Sequence, residues 1–201
     1  MPDITRRRFG VWTVFGALCL GVSPPTDLLA RSAADIPAAL PPDRILAGPF
    51  RALSPYEATV LEEVTALLIP TDQEAGAREA GIVTSLDAQI AADAAQLALY
   101  RQGLAWLDWL ASTRSGQESF LLLPRDSRIE ILTAAERGTL SRIEQLKEWW
   151  RFGERGSSVR FFDAVRLDTL AAFYSRREGW RVAGYQGPPQ FTGYPNYARC
   201  E

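Results

Sequence analysis

Apolar residues recur at helical spacing along most of the chain, and no run alternates at strand spacing. Ser54-Pro55-Tyr56-Glu57 reads as a capping box with proline in the first turn. Val60, Leu61, Val64, Leu67 and Leu68 then share one face until Pro70 ends the pattern. A turn-rich connection, Pro70 to Gly81, leads to a second helix marked by Val83, Leu86 and Ile90. Leu97, Tyr100, Leu104, Leu107 and Leu110 mark a third, with Trp106 and Trp109 widening its apolar side and Gly116 near its end. Pro124 can begin a fourth helix with Ile129, Ile131, Leu132 and Ala135 inside and Gly138 as its stop. Segments 140–152 and 158–175 complete the set, the latter through Val159, Phe162, Val165, Leu170 and Phe173. The pattern predicts an all-α fold, a single compact domain of about six helices over residues 53–177.

The two ends read differently. Residues 35–52 are proline-rich and predict an extended arm. Residues 178–201 combine glycine and proline with Trp180, Tyr185, Phe191, Tyr194 and Tyr197, whereas disordered tails are poor in aromatics. That composition predicts an irregular but ordered tail, a non-helical strap whose rings pack on this chain's own helices or on a partner. Residues 1–34 carry Thr5-Arg6-Arg7-Arg8-Phe9, then an uncharged run from Val11 to Val22, then Pro24-Pro25 and small residues. This is the layout of a twin-arginine export signal, with Arg6, Arg7 and Phe9 as its recognition residues. Twelve helical residues span about 18 Å, short of the roughly 30 Å hydrocarbon core, so the run is too short for a membrane anchor. The signal places the mature protein in the periplasm.

Composition narrows the chemistry. Of 22 basic residues four lie in the leader, and of 24 acidic residues two do, so the remainder carries 18 − 22 = −4. That balance argues against nucleic acid, and no run of lysine or arginine outside the leader suggests a membrane surface. The chain has no histidine. Histidine-ligated haem, Ser-His-Asp and Cys-His catalysis and Glu-x-x-His di-iron bundles are thereby excluded. No Gly-x-Gly-x-x-Gly follows a strand-like run, so no dinucleotide site is visible. Asp72, Glu74 and Glu79 lie in a glycine-containing loop, but the glycine offset does not suit an EF-hand, and they read as loop and helix caps. Asp87 reads as structural in the same way. No catalytic, cofactor-binding or metal-binding residue is expected in this chain. Cys200 is the only cysteine outside the leader, either free or paired with another chain. Trp149-Trp150 with Phe152, beside Arg151 and Arg155, is either core or a partner hot spot, because adjacent helical tryptophans cannot share a face.

Several segments together resemble the gluconate 2-dehydrogenase subunit 3 family. They are the twin-arginine start, Leu53-Ser54-Pro55-Tyr56-Glu57, Ile69-Pro70-Thr71-Asp72, Gly76-Ala77-Arg78-Glu79-Ala80-Gly81-Ile82-Val83 with Leu86-Asp87, and Gly179-Trp180, Gly184-Tyr185 and Gly193-Tyr194-Pro195. Ser175-Arg176-Arg177-Glu178 stands where the family often has a glycine- and asparagine-rich turn. The resemblance implies a small, or gamma, subunit of a membrane-associated sugar or sugar-acid dehydrogenase. It also implies a large partner subunit that holds FAD, often a multihaem cytochrome c subunit carrying haem c, and a role in exporting the flavoprotein through the Tat translocase. Trp149, Trp150, Phe152, Trp180, Tyr185, Phe191, Tyr194 and Tyr197 are then the candidate partner contacts. A different class is a free-standing periplasmic module in which Tyr100, Trp106 and Trp109 stack on a sugar. A third, an enzyme using tyrosine or carboxylate groups, has no motif in its favour.

Overall fold

A computed structural model describes residues 36–153 and 156–185. Among them are seven α-helices and no strand: α1 (Pro55–Leu68), α2 (Ile82–Ile90), α3 (Ala94–Ser115), α4 (Arg125–Arg137), α5 (Arg142–Phe152), α6 (Ser157–Tyr174) and α7 (Arg177–Val182). Helix α6 is the hub and packs against α1, α2, α3, α4 and α7. Its buried stripe runs through Phe161, Phe162, Val165, Thr169 and Phe173.

The α3–α6 contact is set by a missing side chain. Gly103 lies mid-helix and buried, and a Cβ there would fall 2.0 Å from Cγ of Phe161. The Phe161 ring therefore rests directly on the α3 backbone, edge-on to Tyr100 with centroids 5.9 Å apart. Glycine inside a helix costs about 1 kcal/mol in propensity relative to alanine. The close approach lets two helices bury a continuous apolar seam that a side chain would wedge open.

Buried carboxylates fix the elements around this seam. Asp108 of α3 accepts from the Tyr56 hydroxyl of α1, at 2.9 and 3.0 Å, and from the Phe120 amide at 2.8 Å. Tyr56 has one hydroxyl proton and gives it to the carboxylate, so Ser119, 2.6 Å away, donates to the tyrosine oxygen. Asp87 of α2, 2% exposed, accepts from the amides of Arg51, Ala52 and Leu53, which clamps the arm onto the domain. Asp168 of α6 accepts from Gln89, Gln96 and the Tyr100 hydroxyl, tying together α2, α3 and α6. Burial, and then the hydrogen bond to Asp168 and its charge, push the Tyr100 hydroxyl above its usual pKa, so it stays a donor.

The capping box predicted for α1 is present in both directions: Ser54 accepts from the Glu57 amide, and Glu57 from the Ser54 amide. Gly138 ends α4 with φ of 62°. Other expectations are corrected. Ile129, placed inside, is 42% exposed, because two residues along a helix is about 200° of rotation and Ile131 takes the inward position. Leu170 also faces outward, since Thr169 and Phe173 hold the buried stripe. Val159 is only half-buried. The arm is not uniformly extended: Pro42–Arg44 forms a 3-10 turn, and Leu40 enters the core. The stretch expected to be non-helical from residue 178 opens with α7, which Gly179 seats against α6; a Cβ there would lie 2.3 Å from the Phe173 carbonyl oxygen.

Gly103→Ala is expected to destabilise the fold by about 2 kcal/mol or more. Overpacking costs about 1–3 kcal/mol or more and outweighs the roughly 1 kcal/mol of helix propensity gained. Urea denaturation of the variant beside the wild type reads this difference. An unchanged midpoint would show that the seam is not tight.

Candidate functional site

Two exposed apolar faces stand out. The first is on α5, whose orientation is the reverse of an ordinary amphipathic helix. Ser141 and Glu144 start it with a reciprocal capping box. Its only buried residue is a carboxylate: Glu148, 2% exposed, accepts from Trp106 Nε1 at 2.9 Å. Glu144 is held by Arg114 at 2.8 Å, and Gln145 donates to the Leu140 carbonyl. Phe152 packs edge-on against Trp109, with centroids 5.8 Å apart. With its acids turned inward, α5 leaves Ile143 (68%), Leu146 (53%), Trp149 (48%) and Trp150 (79%) exposed. Ile143, Leu146 and Trp150 recur at i, i+3 and i+7, a stripe of the kind usually buried.

The second face is the outer side of α6 with α7. Leu167, Leu170 and Tyr174 recur at the same spacing, and Val182 and Tyr185 extend the exposed apolar surface past α7. Trp180 is half-buried there, donating from Nε1 to the Tyr174 carbonyl at 2.8 Å and meeting Tyr185 edge-on at 5.9 Å. Arg176, in the Ser-Arg-Arg-Glu stretch, donates to the Ala80 carbonyl and to Ser85, so the α6–α7 corner is fixed to the start of α2. Tyr185 is the last described residue on this face.

Among the candidate contacts, Trp149, Trp150 and Tyr185 are exposed, while Phe152 and Trp180 are half-buried. Phe191, Tyr194, Tyr197 and Cys200, like Arg6, Arg7 and Phe9 of the leader, lie outside the described residues. Ile143, Leu146, Leu167 and Tyr174 were not singled out in the sequence; they belong to stripes that read as core until their neighbours are known. The sugar-stacking trio fails on geometry. Tyr100 and Trp106 are fully buried and present no ring face to a ligand.

The polar loop Pro70 to Gly81 is held by its own hydrogen bonds and by Arg78, which meets Glu63 of α1 at 2.8 Å. Glu79 accepts from the Thr71 hydroxyl at 2.5 Å and the Gly76 amide at 3.0 Å, and these bonds hold its carboxyl below the usual range. Asp72 accepts from the Glu74 amide. A cleft of about 350 Å³ lies between residues 46–50 of the arm and 77–84, with Glu62 and Arg78 at its wall. Burial raises the Glu62 pKa, and Arg78 partly offsets it. At the cleft wall Arg78 lies 3.5 Å from Glu62 and 2.8 Å from Glu63, and the described lining residues form no pair of nucleophile and base.

The family model for gluconate 2-dehydrogenase subunit 3 matches residues 55–187, and the chain belongs to that family. The match takes in both apolar faces. No curated protein and no solved structure matches the chain.

Because the α5 stripe is mostly exposed and enters no core, Ile143→Ser, Leu146→Ser and Trp150→Ser should each leave stability within about 0.5 kcal/mol of the wild type. Phe152→Ala should cost clearly more. Thermal melts of the four proteins check this, and a Trp150→Ser variant as unstable as Phe152→Ala would place the stripe in a core. The Arg114 hydrogen bond, followed by those from Ser141, holds the Glu144 carboxyl at about 2. Its folded pKa lies below the ordinary carboxylate value, so its stabilisation is present above pH 4.5 and fades as pH falls toward 2. Glu144→Gln should therefore lower the melting temperature at pH 7, and the difference should shrink in acid.

Proposed function

We propose that this protein is the non-catalytic small subunit of an FAD-dependent, membrane-associated dehydrogenase acting on gluconate, a sugar or an alcohol. It docks the large flavin-bearing subunit and carries it, folded, through the twin-arginine pathway into the periplasm. The observation that carries the reading is the exposed α6–α7 face within a chain of this family: Leu167, Leu170, Tyr174, Val182 and Tyr185 form an apolar surface. The sequence continues from it into Phe191, Tyr194 and Tyr197. A chain without histidine whose carboxylates are spent on helix ends and amides is suited to assembly more than to turnover.

Mechanistically, binding the folded flavoprotein and not its unfolded form stabilises it by mass action. Specific interfaces of this kind bury about 1,200 Å² or more in total, larger than a single stripe, so the tail aromatics complete the contact. The leader supplies the address: Thr5-Arg6-Arg7-Arg8-Phe9 on one chain serves both. A multihaem cytochrome c subunit is the natural electron acceptor of such an assembly.

Leu167→Asp with Tyr174→Ser should cut recovery of the flavoprotein with the tagged chain by roughly thirtyfold, as loss of hot-spot contacts does. The readout is flavin absorbance co-eluting with the small subunit, with helicity checked by circular dichroism. Full recovery would remove this face from the interface. Separately, Arg6→Lys with Arg7→Lys should strand dehydrogenase activity inside the cell. Undiminished periplasmic activity would end the carrier role.

A further inference from the structure

The α5 face differs from the α6–α7 face in its charges. Its exposed polar groups are Arg142, Lys147 and Arg151, spread along the sequence but gathered on one short helix around Ile143, Leu146, Trp149 and Trp150. Both acidic residues of α5 are engaged on the protein side, Glu144 by Arg114 and Glu148 by Trp106. Gln145, the neutral polar side chain within α5, is spent on the Leu140 carbonyl. A protein–protein contact usually carries about one hydrogen bond per 100–200 Å², much of it through neutral donors and acceptors. This face offers hydrocarbon, indole rings and cations.

We infer that α5 is a membrane-surface helix that binds anionic phospholipid, with Ile143, Leu146 and Trp150 entering the headgroup–acyl boundary and Arg142, Lys147 and Arg151 meeting the phosphates. Indole rings favour that boundary, and cations beside an anionic leaflet are drawn to its negative surface potential. Eleven residues of helix, about 16 Å, are too short to cross and suit a helix lying in the interface plane. The chain as a whole is net negative, at −2, so its general charge does not draw it to such a surface. The attraction is local to α5. The inference stands apart from the dehydrogenase reading and holds whichever partner binds α6 and α7.

The test uses the full chain with Cys19→Ser and Cys200→Ser, Ile143→Cys labelled with an environment-sensitive fluorophore, and vesicles of phosphatidylcholine with or without phosphatidylglycerol. A label at 143 reports α5 alone, so leader binding does not imitate the result. The label should shift to the blue and be quenched by brominated acyl chains on phosphatidylglycerol vesicles, while one at Glu136→Cys on α4 stays in water. Lys147→Glu with Arg151→Glu should lower the shift-derived partition at least about tenfold. Trp150→Ser should lower it as well, and melts should confirm that both variants are folded. The inference is overturned if the 143 label remains in water on the phosphatidylglycerol vesicles. Charge reversal without effect would overturn it too, as would a label shielded by the flavoprotein subunit and not by lipid.

Discussion

The fold turns on the contact between Gly103 and Phe161. Helix α6 touches five of the other helices, and its position relative to α3, the longest helix, is set where a ring lies on bare backbone. A Cβ at position 103 would push α6 outward and loosen its packing on α1, α2 and α4 together. The Tyr100 ring that flanks Phe161 also donates to Asp168, so the same seam aligns the polar tie between α2, α3 and α6.

Around that seam the chain uses buried acceptors as fasteners. Asp87 gathers three successive amides where the arm enters the domain, Asp108 gathers Tyr56 and Phe120, and Glu148 takes the Trp106 indole. Each brings a distant segment to a fixed place, and removing a partner would strand a desolvated carboxylate. The last of these bonds has a functional consequence. By turning Glu148 inward it turns Ile143, Leu146 and Trp150 outward. The α5 surface is thus a product of the core's hydrogen bonding.

Most of the helical fold was legible in the residues. Ser54 and Glu57 announced α1, and the spacing of Leu104, Leu107 and Leu110 gave the buried side of α3. What failed was the direction of short stripes. Ile129 and Leu170 are apolar at positions that hydropathy alone assigns to the interior, while Thr169 sits fully buried beside Leu170. A single sequence shows period and not phase when apolar residues occupy two sides of a helix. Gly103 gave no sign of its partner 58 positions away, because a helical glycine reads as a weak helix former until the facing ring is known. For the site, Trp149, Trp150 and Tyr185 were visible as unusual aromatics, but nothing in the sequence marked Leu167 and Tyr174. The α5 cations, at 142, 147 and 151, form no run in sequence and come together only on the helix.

The central claim is that a helical domain built for assembly presents its α6–α7 face to a larger flavoprotein subunit. Hydrogen–deuterium exchange of the small subunit, alone and within the purified complex, tests it most directly. The account predicts that amides over residues 163–185 gain protection on assembly, while those of the α3 core, already slow, change little. Exchange over 163–185 that is the same in both states, with protection appearing elsewhere, would contradict it.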